Sequence, residues 1–219
     1  MKPLHITIAL CLGFIAIVVG LFVYSVTRTP VLSEEALREQ GVLLLPKPRE
    51  LSAFSLSTSD GEPFDQSTLE GHWSFLFFGF TNCPDVCPTS MSILSQAYRK
   101  LREEAPELAE LFQGVLVTVD PQRDTADKLS AYVEAFSPDF VGVRGTVGDI
   151  ASLATDVNVA FAKVPVRNGE GIADPDSYTM DHTANIVIIN PRGHYHGFIK
   201  YPQQADTIVA ALQSLAANF

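Results

Sequence analysis

"WSFLFFGFTNCPDVCPTSMSILSQAYRKLREEA", residues 73–105, runs from an almost unbroken apolar segment, across two cysteines, into a stretch of helical periodicity. The segment Trp73 to Phe80 is short and nearly all apolar, which suits a central strand buried on both faces. Past the cysteines, Met91, Leu94, Tyr98 and Leu101 recur at helical spacing, and Pro84 and Pro88 sit where a helix can begin. The stretch therefore reads as strand, turn and helix, with Cys83 and Cys87 at the turn.

Upstream, "AFSLSTSDGEPF" reads as a hairpin turned at Asp60 and Gly61. Downstream, "GVLVTVD", ending at Asp120, is a second buried strand. "DTADKLSAYVEAF" follows as a helix with Asp124 or Thr125 as its cap, and "VGDIASLATDV" as another helix. "ANIVIINPRGHYHGFIKY" gives two strands turned between Asn190 and Gly193, and "QQADTIVAALQSLAA" a closing helix. Alternating strands and helices with an antiparallel pair at the end predict an α/β fold, a thioredoxin-like three-layer sandwich with an N-terminal hairpin.

This body follows an apolar stretch, Ile6 to Val26, that carries no charge and has the roughly twenty residues a bilayer crossing needs. It is expected to be a single transmembrane helix, since a cleaved signal peptide has a shorter apolar core of about 7 to 15 residues and a small-residue cleavage site. Cys11, inside the run between Leu10 and Leu12, reads as a small apolar residue rather than a lipidation site. The expected division is an anchor over 1–28, a linker over 29–50 and a domain over 51–219. In the linker, "SEEALREQG" is a short helix candidate and "LLLPKPREL" an extended tether.

Lys2 and the terminal amine stand before the span and Arg28 after it, followed soon by Glu34 and Glu35, a balance that leans toward a cytoplasmic N-terminus and an exported body. The expected location is a bacterial inner membrane, with the body in the oxidising periplasm. Without Lys2 and Arg28 the chain has 25 acidic against 13 basic residues, a net charge of −12. That balance argues against nucleic acid as a partner, and leaves the helix rather than surface charge to hold the protein at the membrane.

A strand-to-helix turn is where a reactive sulfur is expected, because amides and the helix dipole stabilise a thiolate there. If both cysteines lie in the first turn, the four-residue spacing puts them on one face about 6 Å apart along the axis. That suits a shared metal ion or a disulfide. A buried inert pair is the third reading. Redox pairs of the thioredoxin kind are spaced C-x-x-C, and "CPDVC" holds one residue more. Two thiolates with a third, imidazole ligand would make a copper-selecting site, while zinc would be left with an open position.

Of the five histidines, His5 lies at the membrane end and His72 in a turn. His194 and His196 share one face of a hairpin arm expected to be exposed. His182 precedes a buried strand, and in this fold type the loop entering that strand runs beside the start of the cysteine helix.

"FGFTNCPDVCP", "VTVDPQRDT" at Val117 to Thr125, and "DHTANIVIINPRG" at Asp181 to Gly193, in this order and after a single anchor, resemble the SCO/SenC family of membrane-anchored copper proteins. The resemblance spans roughly Leu51 to the C-terminus. It implies copper, as Cu(I) or Cu(II), held by Cys83, Cys87 and His182. It also implies a part in assembling the dinuclear copper centre of cytochrome c oxidase subunit II, by delivering copper, by reducing that subunit's cysteines, or both, with copper supplied by an upstream donor. The enzyme alternative is a thiol-disulfide reductase with Cys83 and Cys87 as its catalytic pair. A peroxidase on the same fold is disfavoured by the two-cysteine cluster. Asp85 is a candidate for tuning the cysteines and Asp181 for orienting the imidazole, each with a plain turn role as the alternative. Asp120 and Arg123 are expected to brace the loop after the second strand. Residues Lys163 to Met180 read as a loop or hairpin beside the site that opens to admit copper or a partner.

Overall fold

The computed structural model describes residues 2–27, 31–168, 171–172 and 177–219. The chain divides into two units, Met1–Val31 and Leu32–Phe219. In the first, Lys2–Thr27 form one helix, α1, with Leu10, Leu12, Phe14 and Phe22 exposed. Among the described residues no helix is long and apolar enough to cross a membrane. The span expected over residues 6–26 lies partly outside the described side chains.

The second unit opens with α2 (Glu34–Glu39), whose first turn is capped by the Ser33 hydroxyl accepting from the Ala36 amide. There follow β1 (Val42–Arg49), the hairpin β2 (Leu56–Thr58) and β3 (Pro63–Phe64), the short helix α3 (Gln66–Leu69), and β4 (Trp73–Gly79). Next come α4 (Val86–Glu104), α5 (Pro106–Ala109), β5 (Phe112–Thr118), α6 (Ala126–Glu134), β6 (Val141–Arg144) and α7 (Val147–Asp156). The last part holds β7 (Phe161–Pro165), the two-residue strands β8 (Arg167–Asn168) and β9 (Gly171–Ile172), β10 (Tyr178–His182), β11 (Ile186–Ile189), β12 (Tyr195–Ile199) and α8 (Ala205–Asn218).

Eight strands form the main sheet in the order β1-β12-β11-β4-β5-β6-β2-β3. β4, β5 and β6 are parallel, and β11 runs antiparallel to both β4 and β12. Every residue of β4 is buried, as its apolar run requires of a strand covered on both faces. The crossovers β4–α4–β5 and β5–α6–β6 join parallel neighbours, and their common right-handed sense puts α4 and α6 on one face. There Tyr98 of α4 stacks on Phe112 at 5.4 Å, and Phe112 on Phe75 at 4.8 Å. α8 packs beside α4. The turn from β4 into α4 thus stands at the carboxyl end of the parallel strands, where open α/β sheets place their sites.

The linker expectation over 29–50 is corrected for residues 34–49, which are helix and edge strand. Val42 to Leu44 pair with Ile199 to Gly197, and the ladder resumes only at Arg49 opposite Tyr195. Pro46 and Pro48, which read as marks of a tether, fall in that gap on an edge strand, where a missing amide is tolerated. β6, which the pattern reading passed over, extends the parallel set. β7 and β10 form a two-stranded sheet of their own, pairing Phe161 with His182 and Pro165 with Tyr178. The hairpin alternative for Lys163 to Met180 therefore holds at its base, while residues 169–170 and 173–176 lie outside the described residues.

Candidate metal centre

Three elements converge on Cys83, Cys87 and His182: the loop leaving β4, the start of α4 and the end of β10. Their sulfur and nitrogen donors lie within 4.8 Å of one another, and no other group of three or more His, Cys, Asp or Glu side chains that could hold a metal occurs among the described residues. Cys87 Sγ stands 3.5 Å from His182 Nε2.

The helix begins at Val86, so Cys83 precedes the first turn instead of sharing it with Cys87. Asp85 is the N-cap residue, yet its carboxylate makes no capping bond. Cys83 Sγ takes that part, accepting from the Cys87 amide at 3.3 Å. A sulfur in a cap position meets the free amides and the positive end of the helix, both of which favour its anion. Pro88 removes an amide that a first turn leaves unpaired in any case. A Cβ on Gly79 would sit 3.1 Å from Cys87 Sγ and 2.8 Å from the Phe77 ring, so the close approach of Cys87 to β4 depends on that glycine.

The two sulfurs are inequivalent. Cys87 is fully buried and Cys83 half-buried, and neither is in a disulfide. The Cys83 thiol is pushed down to about 4, first by the Cys87 S–H donating to it, against the cost of burial. His182 and the amides of Asp85 and Cys87 add to the lowering. Cys87 is driven far up, by that same shared hydrogen bond and by burial. The pair is thus one thiolate beside one thiol that donates to it.

His182 Nδ1 lies 3.2 Å from the carbonyl oxygen of Thr183. A carbonyl only accepts, so Nδ1 carries the proton, and in the neutral ring Nε2 presents its lone pair to the sulfurs. In the doubly protonated ring Nε2 donates to the Cys83 thiolate instead. The rings of Phe77 and Phe80 meet the imidazole edge-to-face at 5.7 and 6.0 Å. The orienting part foreseen for Asp181 thus falls to a main-chain carbonyl. Asp181 alternates to the other side of β10 and is exposed, though it lines, with Cys83, Pro84, Asp85 and Met180, a recess of about 210 Å³ in front of the donors.

Two residues that sequence reasoning missed support this arrangement. Asp124, foreseen as a possible helix cap, is buried and accepts from the Thr118 hydroxyl at 2.6 Å, the Thr81 hydroxyl at 2.6 Å and the Thr81 amide at 3.1 Å. It anchors the loop that leads to Cys83, while Thr125 caps α6. Tyr178 is the second, on β10. The bracing pair Asp120 and Arg123 forms as expected, and both of its members also reach Tyr178.

Of the other histidines in the second unit, none joins this cluster. His72 contacts the Glu70 carbonyl. His196, on an arm expected to be exposed, is half-buried edge-on to Trp73 at 5.2 Å, with Nδ1 near the Asn190 amide. Burial pushes its pKa down.

Two sulfurs and one imidazole, within reach of a single ion, are a donor set for soft or borderline metals. The SCO1/SenC family model matches residues 45–217 of the chain. The chain belongs to the SCO1/SenC family. Among curated relatives, it is 34% identical over 182 residues to a putative copper-binding protein of Stutzerimonas stutzeri, covering 83% of this chain and 84% of that one. It is 34% identical over 166 residues to the mitochondrial SCO2 homolog of Mus musculus, covering 76% of this chain and 62% of that protein's length. Among SCO structures, copper-bound ScoI of Arabidopsis thaliana superposes with a TM-score of 0.65 at 28% identity, over 76% of this chain and 98% of that one.

Proposed function

We propose that this protein is a membrane-tethered copper carrier. In this reading Cys83 and Cys87 supply thiolates and His182 the nitrogen, and copper is the cargo. The observation that carries it is the convergence of two sulfurs and one imidazole nitrogen from three separate elements within 4.8 Å. Cys83 is already anionic, and copper displaces the proton that Cys87 retains. Names that mention copper among the relatives, and membership of the SCO1/SenC family, support copper over zinc.

The family resemblance extends the reading to assembly of the dinuclear copper centre of cytochrome c oxidase subunit II, with copper received from an upstream donor. Residues 1–28 act as the anchor in the inner membrane and the body works on the periplasmic side. The uncharged run Ile6 to Val26 supports this, because its length matches a hydrocarbon core.

A second reading rests on the unequal thiols. The Cys83 thiolate attacks a partner disulfide, forming a mixed disulfide and releasing one partner thiolate. Cys87 then loses its proton and attacks Cys83 Sγ, releasing the second partner thiol. The partner gains two electrons and the pair is left as a disulfide. Only the copper reading requires His182.

The test is copper binding to the reduced full chain in detergent, compared with Cys87→Ser and His182→Ala. One copper per chain, weakened by either change, is the expected result. Weak binding indifferent to His182, together with efficient reduction of a partner disulfide, would favour the second reading.

A further inference from the structure

The turn Asp120–Asp124, closed by the Arg123 and Asp124 amides donating to the Asp120 carbonyl at 3.1 and 3.0 Å, grips both halves of the metal centre. Asp124 holds Thr81 on the cysteine side. On the other side, Arg123 Nε bonds the Asp120 carboxylate, and Arg123 Nη1 donates to the Tyr178 carbonyl at 2.9 Å. The Tyr178 hydroxyl donates to the other oxygen of Asp120 at 2.9 Å. The guanidinium lies 3.8 Å from the centre of the Tyr178 ring, and 6.0 Å from that of Phe80, the ring that meets His182 edge-on. Arg123 Nη2 is buried with no hydrogen-bond acceptor, as suits a cation packed on π-faces.

No ladder joins β10 to the main sheet among the described residues. Apolar packing of Met180 and Phe161 presses the hairpin on the body but is non-directional, whereas the Arg123 fork is directional. We infer that Arg123 is a positioning residue: through Tyr178 it holds the strand that ends in His182, and so sets where the imidazole stands relative to the two sulfurs. This rests on the three-donor reading of the site.

The test has a metal-free arm and a copper arm, both on the reduced full chain in detergent. In the metal-free arm, histidine-labelled NMR follows the His182 ring and its contacts with Phe77 and Phe80. Arg123→Gln abolishes those contacts, Arg123→Lys restores them in part because charge over the ring survives without the fork, and Tyr178→Phe weakens them. In the copper arm, Arg123→Gln loses the His182 nitrogen coupling in the Cu(II) resonance spectrum. It also speeds copper release to a chelator by about tenfold to a hundredfold, the usual effect of removing an outer partner of a metal ligand. A variant that keeps wild-type ring contacts, nitrogen coupling and release rate overturns the inference. If Arg123→Gln does not fold, Arg123→Lys decides alone, since it keeps a charge over the Tyr178 ring and removes the fork to Asp120 and the Tyr178 carbonyl; unchanged ring contacts there overturn the inference too. Absence of copper binding in the wild type would count against the carrier reading while leaving the metal-free arm to judge Arg123.

Discussion

Cys87→Ala, paired with Cys87→Ser, tests what holds the Cys83 thiolate. With Cys83 pushed down to about 4, only about one molecule in a thousand retains that proton at pH 7, three units above. The largest cause is the Cys87 S–H, ahead of His182 and the amides of Asp85 and Cys87. Alanine removes that donor, whereas serine offers a hydroxyl in its place. The assay is thiolate absorbance against pH in a Cys11→Ser background, with iodoacetamide labelling mapped by mass spectrometry. The wild type should titrate near pH 4 and label at Cys83, not at fully buried Cys87. The midpoint should move up in Cys87→Ala and stay low in Cys87→Ser. A Cys87→Ala midpoint equal to wild type would refute the reasoning and leave the helix terminus as the cause; a wild-type midpoint at the ordinary thiol value of about 8.5 would refute it outright.

Linkage gives these shifts a second readout. Between about pH 4 and 8.5 the unfolded chain binds a proton at Cys83 that the folded protein does not, so stability of the reduced, metal-free protein rises with pH through that window. Above about 8.5 the sign reverses, because folded Cys87 keeps a proton that the unfolded chain releases. Denaturant titrations across this range should peak near the upper end of the first window. Asp124→Ala should cost about 3 kcal/mol or more, since three hydrogen bonds to a buried carboxylate are lost; urea unfolding checks it. Gly79→Ala should cost about 1–3 kcal/mol as an overpacked site, and should slow copper uptake by displacing Cys87, read by stopped-flow.

The strand at Trp73–Gly79, the cysteine turn and the helices α4, α6, α7 and α8 were legible because each carries, or borders, an unbroken apolar run or a clear helical period. β1 was not, because Pro46 and Pro48 signal a tether until the gap in its ladder with β12 is seen. β6 is four residues long and carries too little pattern to be recognised. Both cysteines could be assigned from local chemistry, whereas placing His182 beside them required a topology. Asp124 and Tyr178 were illegible because their bonds join residues 43 and 58 positions apart, and no local period encodes such a pairing. For Asp181 the sequence left an orienting and a plain turn role open; in β10 it is exposed, and His182 Nδ1 meets the Thr183 carbonyl instead.

Cys83 faces the recess while Cys87 is sealed behind it, which gives the centre a front and a back. In the proposed carrier reading, an incoming thiol would meet Cys83 first, at the recess, while Cys87 would be the donor held farthest from solvent. The full burial of one sulfur and not the other would thus order the exchange, with the outer grip released before the sealed one.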